Sequence, residues 1–350
     1  MFPYILVGLA TPVAAKIGSV KGLRLLWWVF PAAVLIIFAG LRGSNVGTDV
    51  PMYEAFFALT DPHSFTNTLA QIPEDPGFVA LMFLTRQFTS DVTVFLTICA
   101  ILTVYPVLIA ARRVSDMPVF SLFLFVTLSY YPLSFNAVRQ SIASSLVFLA
   151  ETYRFEKRWL WLLLTMVAAL IHISAFIASV VIFVLRLSRV LLLPLLISAA
   201  AVAVAGYPLA QIPVVIDLLN GLNDRYSQYL DKAVASGFGT VLSLGVHILI
   251  AVFCVVMVRR DGKLGIAQAP YVGIYTLTIP IMAAATSVVT IARLEPYFGM
   301  FAILALPQAL ATSKRRSTWM ALIAIAAFAF YLVYISSYND LVPYEFAGGR

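Results

Sequence analysis

Three arginines stand at the ends of apolar segments, apart from the clusters that hold most of the basic residues: Arg42, Arg139 and Arg293. Each lies beside a turn or a helix start in the sequence pattern. A guanidinium next to a helix N-terminus is suited to phosphate, because both direct N–H donors toward an anion. The alternative is a side chain that reaches lipid head groups or pairs with a nearby acid, as Glu295 could do for Arg293.

Residues 43–49, directly after the first of these arginines, are rich in turn-forming types. Gly47 permits positive φ and a close approach of backbone, and Thr48 and Asp49 can bond locally to the backbone. The alternative to a binding segment is an ordinary capped loop. In that case Asp49 is the N-cap of a helix over 51–59, which has a proline in its first turn.

A second polar segment opens a helix predicted over residues 138–153. Asn136 suits the N-cap position, and Arg139 and Gln140 then lie in the first turn, near the positive end of the helix dipole. An arginine there is unfavourable unless an anion compensates its charge. The sequence therefore predicts an anion close to Arg139.

His172 lies where two short apolar stretches meet, and an ionisable group at membrane depth is a functional candidate. A structural histidine is the alternative. His63 and His247 are interpreted as structural, the first in a loop and the second in a helix without polar company. Glu74 and Asp75 precede an amphipathic segment, where they are either contacts for substrate hydroxyls or helix caps.

The elements that position these residues are membrane helices. The chain is 62% hydrophobic and only 11% charged, with a mean hydropathy of +0.96. A soluble domain of this composition could not cover its surface with polar side chains. A spanning helix needs about 20 residues to cross roughly 30 Å of hydrocarbon. Cys99 and Cys254 lie in apolar runs, so neither a disulfide nor a metal site is predicted.

Basic residues set the predicted topology, because cytosolic loops carry an excess of lysine and arginine. Placing six basic clusters in the cytosol puts both termini outside and gives an all-α polytopic protein of about twelve transmembrane helices. The clusters are at 16–24, 112–113, 154–158, 186–189, 259–263 and 314–316, and the helices at 2–15, 25–41, 92–111, 118–134, 138–153, 159–172, 174–185, 190–205, 238–258, 266–290, 296–312 and 318–337.

Residues 1–350 are interpreted as one polytopic domain with outer loops at about 42–91 and 206–237. The first outer loop contains an amphipathic helix over 78–88, predicted to lie on the membrane surface. Residues 2–15 are interpreted as a retained span and not a signal peptide, because no basic residue precedes them.

Missing motifs narrow the chemistry. The sequence has no nucleotide-binding P-loop, no H-E-x-x-H zinc motif and no Asp-x-Asp pair for a metal-bound nucleotide sugar. No cofactor, no metal and no nucleic-acid partner is expected, since the basic residues serve topology. The donor must therefore arrive already activated, and a lipid-linked diphosphate fits, with arginines stabilising the departing diphosphate.

The order of these residues along the chain resembles the EpsG family of exopolysaccharide membrane proteins, which is similar to Wzy-type O-antigen and capsule polymerases. Six short motifs carry the resemblance: Arg42-x4-Gly47-Thr48-Asp49-x3-Tyr53, Asp75-Pro76-Gly77-Phe78, Phe135-Asn136-x2-Arg139-Gln140-x-Ile142-Ala143, Ile171-His172-x-Ser174-Ala175, Arg293-x3-Tyr297-Phe298 and Pro343-Tyr344-x-Phe346. The family's turn usually reads Glu-Pro-Gly-aromatic. Here Asp75 holds the acidic place with Glu74 before it, which leaves open which acid acts.

The resemblance implies a metal-independent polymerase that joins undecaprenyl-diphosphate-linked repeat units at the outer face of the bacterial cytoplasmic membrane. It also implies a GT-C-like architecture with an outward-facing cavity. The expected partners are undecaprenyl-diphosphate-linked glycans, membrane lipids and other polysaccharide assembly proteins. Two alternatives stay open: a flippase or transporter, which needs polar groups at mid-membrane, and a non-catalytic component of an assembly complex.

On this interpretation Arg139, Arg293 and Arg42 bind the diphosphates. Asp49 is the first candidate for the general base or for orienting the hydroxyl, and His172 is the second. Geometry must decide between them, because a base must reach the attacking hydroxyl within roughly 3 Å. The remaining candidates position or contact substrate: Gly47, Thr48, Tyr53, Glu74, Asp75, Asn136, Gln140 and Tyr297.

Overall fold

Helices form the regular structure of the protein in a computed structural model that describes residues 1–23, 25–188, 238–260, 262, 269–286, 289–337 and 340–347. Among these residues, extended backbone pairs only in an isolated antiparallel bridge between Arg42 and Phe346. The predicted span 190–205 and the predicted outer loop 206–237 lie outside the described residues.

The chain divides into two compact units, of which the first comprises Met1–Ser179 and Arg315–Arg350. Its first ten helices are α1 Phe2–Gly18, α2 Leu26–Gly40, α3 Val50–Leu59, α4 Phe65–Gln71, α5 Pro76–Arg86, α6 Val92–Val114, α7 Pro118–Thr127, α8 Tyr130–Leu133, α9 Val138–Tyr153 and α10 Arg158–Ile171. In this unit α1 packs on α2, α2 on α6, α6 on α9, and α9 on α10, which also contacts α5.

The second unit comprises Val180–Lys314. The remaining helices of the chain are α11 Ser174–Ser188, α12 Phe238–Arg260, α13 Pro270–Tyr275, α14 Thr278–Ala285, a 3-10 helix Val289–Leu294, α15 Glu295–Gly299, α16 Ala302–Leu310 and α17 Arg316–Ser337. Of these, α17 belongs to the first unit, and α11 begins in the first unit and ends in the second. In the second unit α12 packs on α14 and α16.

Three described helices are long and apolar enough to cross a membrane: Val92–Val114, Thr240–Arg260 and Arg316–Ser337. Shorter apolar helices accompany them, among them Phe2–Gly18 and Leu26–Gly40. The all-α membrane character is therefore confirmed, while the count of twelve spans stays a prediction. The helix predicted over 78–88 is present as α5, and its place at the membrane surface also stays a prediction.

Three predicted helices are interrupted. The predicted helix 296–312 is divided into Glu295–Gly299 and Ala302–Leu310. In the other two a proline follows the break. The predicted helix 118–134 stops after Thr127, and Ser129 has a left-handed backbone with φ of 68°. In the predicted helix 266–290, α13 ends at Tyr275 before α14 begins. Pro132 and Pro280 each lie four residues beyond the break, and a proline ring clashes with the carbonyl four residues before it.

Residues 340–347 contact the first two helices and the turn after α2 through hydrogen bonds, ring stacking and a backbone bridge. The hydroxyl of Tyr4 donates to the carbonyl of Leu341 at 2.6 Å, and that of Tyr344 donates to the carbonyl of Phe38 at 2.6 Å. The rings of Tyr344 and Phe38 also stack with centroids 4.0 Å apart. The bridge to Arg42 then lays this segment beside the turn that follows α2.

Gly77 allows α5 to lie directly against the end of α10. A Cβ added at Gly77 would come 2.6 Å from the backbone carbonyl oxygen of Leu170. Any larger residue must therefore push the two helices apart. Asp75 immediately precedes α5 and His172 immediately follows α10, so this contact sets the spacing of both side chains.

We expect Gly77→Ala to lower the unfolding free energy by about 1–3 kcal/mol, the range for overpacking a close contact. Thermal unfolding of the detergent-solubilised protein measures the effect. Gly245→Ala in α12 is the matched control, since its Cβ would meet nothing within 4 Å and alanine is the better helix former. Equal melting temperatures for the two variants would contradict the close α5–α10 contact.

Candidate functional site

Asp75 and His172 are held together by the ends of two helices. Asp75 is the N-cap residue of α5, where Pro76 occupies the first turn, and His172 is the C-cap residue of α10. The Nδ1 atom of His172 lies 3.0 Å from Oδ2 of Asp75, and the backbone N–H of Ile173 donates to Oδ1 of Asp75 at 3.4 Å. The acid that the sequence left as a cap or a contact is thus a hydrogen-bond partner of the candidate histidine.

Arg139 lies in the first turn of α9 and forms ion pairs with both neighbouring acids. Its Nη1 atom donates to Oδ2 of Asp75 at 3.0 Å and pairs with the carboxylate of Glu74. Arg139 retains 18% side-chain exposure. The carboxylates of Glu74 and Asp75 therefore supply the negative charge that Arg139 requires at the start of the helix. Glu74, Asp75, Arg139 and His172 are called the Asp75 cluster below.

The environment of Asp75 keeps its carboxyl group ionised. Burial acts to raise the pKa of Asp75, but the hydrogen bond and charge of His172, the charge of Arg139 and the N–H of Ile173 together hold that pKa below its ordinary value. Because an ionised carboxylate only accepts hydrogen bonds, Nδ1 of His172 must carry the proton. In the described part of the chain Nε2 of His172 has no hydrogen-bond partner.

The turn after α2 contacts the segment before α9 through Asn136. The side-chain carbonyl of Asn136 accepts from the hydroxyl of Thr48 at 3.0 Å and from the backbone N–H of Asp49 at 3.4 Å. Gly47 has φ of 107°, and a Cβ there would come 2.9 Å from Oδ1 of Asn136. The predicted N-cap role of Asn136 is wrong, since Ala137 holds that position and the Asn136 side chain faces the turn.

Asp49 is the N-cap residue of α3, as the capped-loop alternative predicted, but its side chain makes no capping hydrogen bond. Its Oδ1 atom instead lies 3.3 Å from Oγ1 of Thr48, the hydroxyl that donates to Asn136 at the shorter distance. Asp49 is partly exposed and stays a candidate base.

Tyr53 connects this turn to the Asp75 cluster. Its hydroxyl donates to the backbone carbonyl of Asn136 at 3.1 Å, and its ring meets that of Phe78 edge to face at 5.7 Å. The guanidinium of Arg139 lies 5.8 Å from the centroid of the same Phe78 ring and also interacts with Tyr53. A continuous chain of contacts thus runs from Asp49 to His172.

Arg42 is buried, with 3% of its surface exposed. Its guanidinium donates to the carbonyls of Ala39 and Phe135 and lies over the ring of Phe135. Gln140, in the first turn of α9, is also buried. Arg42 therefore serves the packing of the turn in this structure, and its diphosphate contact stays a prediction.

Arg293 and Tyr297 belong to the second unit. Arg293 lies in the 3-10 helix that precedes α15, and Tyr297 is buried within α15. Their participation in a common site with the first unit stays a prediction.

A buried polar group in the second unit was missed by the sequence analysis. Nδ1 of His247 lies 3.0 Å from the hydroxyl of Tyr275, and its Nε2 lies 3.4 Å from Oε1 of Glu295. The prediction that His247 has no polar company is therefore wrong. Its partners come from α13 and α15, far along the chain, and no local pattern connects them.

Residues 25–346 match the protein-family model described as the EpsG family. The chain belongs to the EpsG family. No curated protein and no solved structure matches it. Membership agrees with the apolar helices and makes the chain a membrane protein associated with exopolysaccharide biosynthesis.

The ionised state of Asp75 predicts a pH-dependent stability for this EpsG-family protein. Its folded-state pKa lies below the unfolded value of about 3.9, so its contribution is complete above that value and is lost as pH falls through the folded pKa. We expect Asp75→Asn to be less stable than wild type by on the order of 1–3 kcal/mol at pH 7. The difference should shrink below about pH 4.

Melting temperatures from pH 7 to pH 3 measure this difference. Asp116→Asn is the control, because the Asp116 carboxylate is exposed and makes no hydrogen bond among the described residues. A stability difference for Asp75→Asn that stays constant across this pH range would contradict the ionised pair.

Proposed function

We propose that this protein is a polysaccharide polymerase, a metal-independent glycosyltransferase whose donor is a glycan on undecaprenyl diphosphate. The reaction is placed at the outer face of the bacterial cytoplasmic membrane, in a GT-C-like architecture with an outward-facing cavity. Family membership supports the polysaccharide pathway. The observation that carries the catalytic proposal is the contact of His172 with Asp75, which leaves Nε2 of His172 available.

The reaction forms one glycosidic bond and releases one lipid diphosphate. The acceptor hydroxyl oxygen of one lipid-linked unit bonds to the anomeric carbon of the growing glycan. The bond from that carbon to the diphosphate oxygen breaks, and its electron pair leaves on the diphosphate. The hydroxyl proton passes to Nε2 of His172.

His172 is the better-positioned base in this proposal, and Asp75 is its positioning residue. A carboxylate that accepts from Nδ1 fixes the ring and its tautomer, and it stabilises the imidazolium that forms when Nε2 takes the proton. Asp49, the first candidate from sequence, has no comparable orienting partner. It is assigned to the acceptor hydroxyl through the turn that it shares with Thr48.

Arg139 and Arg293, together with Arg42, are proposed to bind the diphosphates. Arg139 carries its positive charge opposite two carboxylates. An arriving diphosphate would take over guanidinium donors from Glu74, and Asp75 would keep its contact with His172. Guanidinium groups placed at a leaving diphosphate stabilise the charge that develops there.

We expect His172→Gln to lower the polymerisation rate by about 10²–10⁴-fold, the usual contribution of a general base. The assay uses purified protein with lipid-linked repeat units, and product length is followed by gel electrophoresis. His63→Gln, at an exposed turn position, is the matched control and should retain wild-type activity. A fully active His172→Gln protein would assign the base elsewhere, with Asp49→Asn the next variant to test.

We expect Arg139→Ala to shorten or abolish the polymer in cells that hold normal levels of the protein, and Arg139→Lys to recover part of the activity. Lysine keeps the charge and loses the planar fork of donors. Arg316→Ala removes an exposed arginine at the start of α17 and serves as the control. Full polymer length in Arg139→Ala cells, at a normal protein level, would refute the diphosphate role.

A transporter is the second candidate function, and the His247 group favours it. His247 lies about 10 Å along the span Thr240–Arg260 at 1.5 Å per residue, and polar groups at such depth commonly mark transport pathways. Deletion of the gene separates the two functions. Lipid-linked units accumulate at the outer leaflet if the protein is a polymerase and at the inner leaflet if it is a flippase.

A further inference from the structure

A cleft of about 240 Å³ in the first unit has none of the Asp75 cluster in its walls. Its walls come from the turn after α2, Glu54 of α3, the start of α6 and the segment 340–347, which supplies Glu345, Phe346 and Ala347. This volume lies just under the roughly 300–1,000 Å³ of pockets that hold drug-sized ligands. The cleft therefore suits one small ring and not an entire oligosaccharide.

Two carboxylates in the cleft have spare capacity to accept hydrogen bonds. The hydroxyl of Ser44 donates to Oε1 of Glu54 at 2.6 Å, and the amide of Asn45 donates to Oε2 of Glu345 at 3.3 Å. Within the described residues, neither carboxylate pairs with a cation, and the second oxygen of each makes no hydrogen bond. A ligand for this cleft must therefore supply hydrogen-bond donors.

Arg42 distinguishes among such ligands. It lines the cleft and is buried. A cationic ligand would meet the charge of Arg42, while an anionic ligand would meet the charges of Glu54 and Glu345. A neutral ligand avoids both repulsions, and its hydroxyl groups can donate to the two carboxylates.

Phe346 adds an apolar face to the cleft. Its side chain is 55% exposed, and its ring is held edge to face against Tyr344, with centroids 5.0 Å apart. The bridge between Arg42 and Phe346 fixes the backbone at this position. A sugar ring carries C–H bonds on its faces and hydroxyls on its rim, so an aromatic face beside carboxylates matches it.

We propose that this cleft binds a single neutral pyranose ring of the glycan substrate. Glu54 and Glu345 accept hydrogen bonds from its hydroxyls, and Phe346 packs on its C–H face. The identity of the glycan rests on the proposed function, but the binding does not require catalysis. The last of the six family-like motifs, Pro343-Tyr344-x-Phe346, thereby acquires a role as a wall of the cleft.

The experiment measures sugar binding to the full-length protein in lipid nanodiscs by saturation-transfer NMR titration. The probes are glucose, galactose, N-acetylglucosamine and glucuronic acid. We expect saturable binding of at least one neutral sugar and weaker binding of glucuronic acid. Glu54→Gln and Glu345→Gln should each weaken binding about tenfold, as expected for loss of a hydrogen bond to a charged group.

Asp61→Asn is the matched control, since it removes an exposed carboxylate that does not line the cleft. Melting temperatures establish that each variant is folded. Phe346→Ala truncates a largely exposed side chain and provides the test if either Gln variant fails to fold. Absence of binding by all three neutral sugars, or unchanged binding in the folded cleft variants, overturns the proposal.

The polymerisation assay separates this proposal from the proposed function. His172→Gln should bind the sugar as wild type does although it makes no polymer. Sugar binding that depends on Glu54 and Glu345, in a protein that never polymerises, would support the sugar-binding cleft and contradict the polymerase function. Polymerisation by wild type with no sugar binding would support the polymerase function and contradict the sugar-binding cleft.

Discussion

The carboxylate of Asp75 is the contact on which the arrangement of the first unit's polar residues depends. One oxygen receives Nη1 of Arg139 and Nδ1 of His172, each at 3.0 Å, and the other receives the N–H of Ile173. These donors come from the start of α9 and the end of α10, while the acceptor precedes α5. A carboxylate taken out of water must be compensated by such donors, so the three helix ends are stable only together.

Close backbone packing makes this convergence possible. Gly77 brings α5 against Leu170, and Gly47 brings the turn against Phe135 and Asn136. Between apolar helices, small residues let the backbones approach, and the polar groups then come within hydrogen-bond distance. The glycines that the sequence analysis assigned to turns and binding thus act first as contact points between elements.

The sequence predicted the helices well where apolar composition alone decides them. The bounds of α9 match the prediction, and those of α10 and α17 differ by one or two residues, as is normal for helix ends. The breaks before Pro132 and Pro280 were not predicted, because a proline acts on the turn that precedes it and the apolar run continues through the break.

The sequence predicted which residues belong to the candidate site, but not which of them contact one another. Arg139 was expected to need an anion, and the sequence indicated a substrate, but the structure supplies Glu74 and Asp75. Asp75 and His172 are 97 residues apart, a separation that no spacing rule covers. The same limit hid the partners of His247, since a single sequence shows which residues could do chemistry but not which of them meet.

The attachment of residues 340–347 has a consequence for how the protein is made. These residues hold the first two helices through Tyr4, Phe38 and Arg42, which are synthesised about 300 residues earlier. At 5–20 residues per second the ribosome needs roughly 15–60 s to cover that distance. Through this interval Phe346 is not yet synthesised, so the backbone at Arg42, in the turn after α2, lacks its bridge partner. The first unit therefore acquires its last contacts only after the whole second unit has been translated.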